Sequence, residues 1–216
     1  MTMAMRQTVE RRTAELRVFA ERFCSPADIQ VFLNQTPYST HHACHSPYCV
    51  IRRASAHCAE GAYFAAAMLR LAGHPPLVMD LRAEQDDDHV IAPFRVNGKW
   101  GAIAKSNTTM LRYREPLYRT LRELVMSYFE MYFNIRGLKS LRAYSRPVSL
   151  ARFDPRGWMA GDEDLEYIGD FLTALPHTQV LHAREAAACV PADPDLMRAC
   201  FSVADPAGLF IPKDSP

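Results

Sequence analysis

Asn97-Gly98 stands between two apolar runs, residues 89–96 and 99–106, and constrains the fold more than any other short stretch of the chain. Both residue types tolerate the left-handed backbone that a two-residue hairpin loop demands, so the flanking runs are read as antiparallel strands. Counting from the loop then sets the register. If the loop holds two residues, Val96 faces Lys99 and His89 comes opposite Ser106. If it holds three, His89 comes opposite Asn107 instead.

The segment before this hairpin reads with equal economy. A helix is expected over 58–71, stopped by Gly73 and barred from continuing by Pro75-Pro76. The apolar run 77–81 follows as a short buried strand, and Asp86, Asp87 and Asp88 make a charged loop ahead of His89. An amphipathic helix is expected over 7–23. A second lies near 29–33, with Ser25 as cap, Pro26 in the first turn and Asp28 closing a capping box. Residues 36–51 read as irregular. Helices are expected again over 117–133 and 164–175, and the proline-bearing end, 181–216, as a loosely packed extension.

Helices thus precede and follow the strands instead of alternating with them, which favours α+β with an antiparallel sheet over a doubly wound fold. With 216 residues, 49% of them hydrophobic and 23% charged, the chain can bury one sizeable core. We therefore expect one domain over 1–180 and the extension over 181–216. Net charge is +1, which argues against a nucleic-acid or polybasic membrane partner. No apolar run reads as a signal or a membrane span, so the cytoplasm is the expected location. Six cysteines are too sparse for a disulfide scaffold.

One of the six stands where chemistry would need it. Cys58 opens its helix, where free amides and the helix dipole favour a thiolate. His89 begins a strand 31 residues later and could serve as its base. A third group would fix the imidazole tautomer, and the hairpin register offers Asn107 or Ser106 for that role. Four pieces of this stretch resemble the transglutaminase-like superfamily. His57-Cys58-Ala59-Glu60-Gly61-Ala62 is similar to its nucleophile segment, and Gly73-His74-Pro75 to the Gly-x-Pro that leads into a strand. Asp88-His89-Val90 is similar to its strand-initial histidine, and Gly98-Lys99-Trp100 to its Gly-x-Trp. The resemblance implies a papain-like or transglutaminase-like core, about 54–134, with helical additions. It also implies thiol acyl chemistry on a peptide, a protein or a small amide or amine, without a cofactor or metal. Two positions depart from the pattern: Ala56 replaces a glycine, and Ala104 falls where the family carries its aspartate.

Other readings stand beside this one. A catalytically inactive module could use the same cleft for binding or assembly. His41, His42, Cys44, His45 and Cys49 crowd into nine residues and suggest zinc, although a structural site prefers two separated ligand pairs. Residues 112–156 hold ten basic and four acidic side chains, which could receive an anionic substrate or pair internally with the acidic run at 162–170.

Overall fold

The computed structural model describes residues 3–213; residues 1, 2 and 214–216, which fall within the expected domain and extension, lie outside the described residues. Its central element is the helix that opens at Cys58. Every residue from Glu60 to Leu69 is buried, so this helix is apolar on all sides and must be enclosed. Four helices come first in the chain: α1 (Met3–Ala20), α2 (Pro26–Gln35), α3 (Pro47–Arg53) and the central α4 (Cys58–Leu71). Phe19, Phe23 and Phe32 converge on Phe64 of α4, the Phe32 and Phe64 rings stacking with centroids 5.0 Å apart.

The sheet lies on the other side of α4. Its first strands are β1 (Leu77–Ala83), β2 (His89–Val96), β3 (Lys99–Ile103) and β4 (Arg114–Tyr118). Helix α5 (Leu121–Phe129) leads to β5 (Leu141–Ser145) and β6 (Val148–Ser149). Helix α6 (Glu166–Thr173) and β7 (His177–Gln179) follow, then α7 (Ala183–Ala188) and α8 (Pro194–Phe201). The order is β4-β3-β2-β1-β5-β7, with β6 also paired to β1, and every pairing is antiparallel. The architecture is α+β. Alternation along β1 and β2 sends Val78, Val90, Ala92 and Phe94 to the α4 side, and Met79, Leu81 and Ile91 to the side covered by α5. Pro93 has no N–H to give and lies just beyond the last β1–β2 pair, Met79 with Ile91.

The hairpin takes the two-residue form. Val96 pairs with Lys99, and Asn97 and Gly98 adopt φ of 50° and 77°. The capping box at α2 is present, with Ser25 and Asp28 each satisfying the other's backbone N–H. Residues 117–133 are not one helix. Leu117 is exposed on β4, and Thr120 starts α5 by accepting the Glu123 N–H at 3.1 Å. A capping threonine outweighed the apolar period. Residues 36–51 are not irregular throughout, because α3 begins within them, with Pro47 in its first turn. Residues 181–213 hold α7 and α8, and Cys200 within them is buried. Among the described residues no helix is long and apolar enough to cross a membrane.

One close approach locks α4 to the sheet. A Cβ on Gly61 would lie 2.2 Å from Lys105 Cβ, so any larger residue must push the strand and helix apart. Gly61→Ala should destabilise the fold by about 1–3 kcal/mol, the usual cost of overpacking, measured by urea denaturation. An unchanged midpoint would mean that the contact is not fixed.

Candidate functional site

Cys58 and His89 line one cavity at an end of the sheet because two local structures place them there. Residues 37–39 run alongside Ala56, with the Ala56 N–H donating to Pro37 and the Ser39 N–H to Ala56. Tyr38 is thereby placed beside the first turn of α4, its hydroxyl in hydrogen-bonding reach of the Cys58 amide and thiol. On the sheet side, His89 begins β2 directly after the acidic loop. That loop is bolted down by Tyr132, whose hydroxyl donates to the Asp87 carbonyl at 2.6 Å. Ser140 donates to Asp86 at 2.6 Å, and the Asn134 amide to the Gln85 carbonyl at 3.1 Å. Val90, the residue after His89, turns its N–H toward the Cys58 sulfur.

Cys58, His89, Ser106 and Asn107 all line one cavity of about 70 Å³, together with Tyr38 and the acidic loop. The structure therefore gathers every residue singled out for the site. It does not give them all the roles expected. His89 is 5% exposed, and its Nε2 lies 3.0 Å from the carbonyl of Leu111. A carbonyl only accepts, so Nε2 carries the proton and Nδ1 keeps its lone pair. The tautomer is thus fixed by a backbone oxygen, not by Ser106 or Asn107. Ser106 Oγ instead bonds Thr108 Oγ1 and accepts the Thr108 N–H, both at 3.0 Å. Asn107 binds the backbone of Asp205 in both directions at 2.8 Å.

The cause lies where β3 ends. The register that would set Ser106 opposite His89 stops at Ala92–Ile103. Beyond it Gln30 captures the backbone of Ala104 twice, donating to its carbonyl at 2.9 Å and accepting its N–H at 3.0 Å. Lys105 is then drawn to α2, where its ammonium donates to the carbonyls of Leu33 and Thr36. Gln30 and the carbonyls of Leu33 and Thr36 thus take the strand away from β2. Ala104 itself is fully buried among apolar neighbours.

The electrostatics also depart from expectation. A helix N-terminus should lower a thiol pKa, yet burial pushes Cys58 up to about 11, and the charge of Asp87 adds to it. The amides of Val90 and Ala59 oppose this but do not win. Burial also pushes His89 down to about 4, against the raising effect of the Leu111 carbonyl. Asp86 is raised to about 6 by burial, its bond from Ser140 opposing. As folded, the thiol and the imidazole line the cavity in their neutral forms.

The remaining candidates scatter or serve the frame. His41 and His42 are exposed, whereas Cys44 is buried. Glu60 accepts from the His45 backbone at 2.9 Å and from its Nδ1 at 2.7 Å, while Arg53 donates to His45 Nε2 at 3.0 Å. Among the described residues no three histidine, cysteine or acidic side chains stand where they could hold a metal ion. Several cations of 112–156 are engaged internally. Arg114 stacks 3.9 Å from the Tyr128 ring centroid, Arg142 pairs with Glu84 at 2.7 Å, and Arg156 pairs with Glu163. Tyr38, Leu111 and the segment from Phe201 to Phe210 are participants that sequence reasoning missed. The chain matches no known family model and no curated protein.

His89 makes a pH prediction with a definite sign. Its folded pKa is about 4 against an ordinary 6.5, so the unfolded chain takes up the proton first as pH falls. The contribution is fully present above about pH 6.5 and is lost between there and pH 4, by roughly 3 kcal/mol at about 1.4 kcal/mol per pH unit. His89→Gln keeps a donor for Leu111 but cannot titrate. Its stability, from urea denaturation across pH 4–7, should fall less steeply than the wild type by about that amount. Parallel profiles would contradict the assignment.

Proposed function

We propose that the chain is a cysteine-dependent amide or peptide hydrolase, or an acyltransferase, with a papain-like or transglutaminase-like core. The observation that carries this reading is the shared cavity of Cys58 and His89, with Nε2 of His89 held by the Leu111 carbonyl and Nδ1 left with its lone pair. In the proposed reaction Nδ1 takes the thiol proton as the sulfur attacks the substrate carbonyl. The oxyanion forms at the start of α4 beside the Cys58 amide, with the Tyr38 hydroxyl adjoining it. The imidazolium returns its proton to the departing amine, leaving a thioester on Cys58. Water then gives hydrolysis, and a second amine gives acyl transfer. Asp86 and Asp87 on the cavity wall favour a cationic partner and stabilise the imidazolium during the step. No cofactor enters the scheme. The cytoplasm remains the proposed location.

A second reading is an inactive module that uses the cleft for binding or assembly. Ala104 favours it, because no carboxylate stands at that position to stabilise a charged histidine.

Incubation with p-nitrophenyl acetate separates the two. The enzyme reading predicts an acetyl adduct on Cys58 in the intact mass, discharged by hydroxylamine and absent from Cys58→Ser. His89→Ala should slow its formation by about 10²–10⁴-fold, the usual worth of a general base. Equal, slow acetylation across the cysteines, unaffected by His89→Ala, would leave the binding module.

A further inference from the structure

The cavity holding Cys58 has a resident. Residues 201–210 pass over it, and Phe201, Gly208, Leu209 and Phe210 form part of its wall. The contact is built, not incidental. Asn107 is 8% exposed and reads one peptide unit from both sides, its amide N–H donating to the Asp205 carbonyl and its oxygen accepting the Asp205 N–H, both at 2.8 Å. Three residues on, Gly208 lies flat on Tyr38. A Cβ there would come 2.9 Å from Tyr38 Cε1 and 3.0 Å from Asn107 Nδ2. Between these points Pro206–Gly208 forms a 3-10 turn, with Asp205 accepting the Ala207 N–H at 2.9 Å. Both ends of the strap are tied: Thr109 donates to the Cys200 carbonyl at 3.0 Å, and Arg136 to the Pro212 carbonyl at 3.0 Å.

What remains open beside the sulfur, about 70 Å³, has room for a few water molecules at most. An acyl group with its leaving group enters only when the strap opens, so acylation, like alkylation, follows the open fraction. We propose that Asp205–Phe210 is an intramolecular peptide ligand of the Cys58 cleft, which closes the site and whose sequence reports the class of ligand the cleft takes. That class is a peptide with a turn over Pro-x-Gly, recognised through its backbone by Asn107, with glycine against Tyr38 and an apolar pair following. This rests on the reading of Cys58 as the reactive thiol.

Alkylation of the full-length chain by iodoacetamide, located by peptide mapping, tests it without requiring turnover. Gly208→Val should displace the strap by collision with Tyr38, and Asn107→Ala should release it by removing its anchor. Alkylation follows the open fraction, so each variant should label Cys58 at least about tenfold faster than the wild type. The buried Cys44 should stay at its wild-type rate, which separates strap release from unfolding. Adding the free peptide Asp-Pro-Ala-Gly-Leu-Phe to Gly208→Val should slow Cys58 labelling back toward wild type, and the same peptide with valine for glycine should not. Equal labelling of Cys58 in wild type and both folded variants overturns the strap. Absence of protection by millimolar peptide overturns the peptide site. Strap-dependent labelling with no acetyl-enzyme even in the strap-released Gly208→Val variant would sink the enzyme reading alone.

Discussion

Lys105 places its ammonium among the carbonyls of Leu33 and Thr36, at the end of α2 where unpaired oxygens and the helix dipole both favour a cation. Its stem lies against Gly61, close enough to exclude any Cβ there. Three elements therefore meet at this side chain: the C-terminus of α2, the first turns of α4 and the end of β3. With Gln30 holding both backbone groups of Ala104, the chain is committed to leave the sheet at this point. The placement of Tyr38 just after α2, of Cys58 one turn before Gly61, and of Ser106 and Asn107 just after Lys105 all follow from it. Burial pushes the Lys105 ammonium down to about 8, so even this cation is held at a cost that its carbonyl partners must offset.

The hairpin was legible because its register depends on two residues and a count. The position of His89 on β2, the helix ahead of it and the α+β order come from the same local signals. What could not be read is everything that depends on competition between distant groups. The register arithmetic presumes that β3 runs on to Ser106, and nothing near Ser106 in the sequence announces Gln30. The helix expected over 117–133 failed because an apolar period at Leu117 and Leu121 is indistinguishable from a strand that runs into a helix, unless Thr120 is taken as the start. Tyr38 carried only a turn signal from Pro37, and its partner at Ala56 is a contact without a pattern. The end of the chain looked loose because prolines recur there, yet its single glycine, Gly208, is fitted to a tyrosine ring.

A backbone carbonyl in the third position changes what the histidine can do. A carboxylate both fixes the tautomer and stabilises the imidazolium, whereas the Leu111 carbonyl does the first and offers only a dipole toward the second. Arg114 adds to the penalty on a charged ring. The compensating charge has to come from the acidic loop, and Asp86 and Asp87 are themselves raised by burial. In the closed cavity water is scarce, so thiol, imidazole and carboxyl all lean toward their neutral forms for the same reason.

That common cause connects the strap to the chemistry. Leu209 and Phe210 help to dry the cavity, and a dry cavity disfavours every charged species the thioester pathway needs. Admitting solvent, or a cationic amine in its place, would relieve the desolvation of Asp86 and Asp87, which line the cavity with the strap. Ionised carboxylates there would then support a charged His89, while their charge continues to oppose a thiolate on Cys58. On the proposed reading, the same segment limits access sterically and, by drying the cavity, disfavours the charged forms of the groups within it.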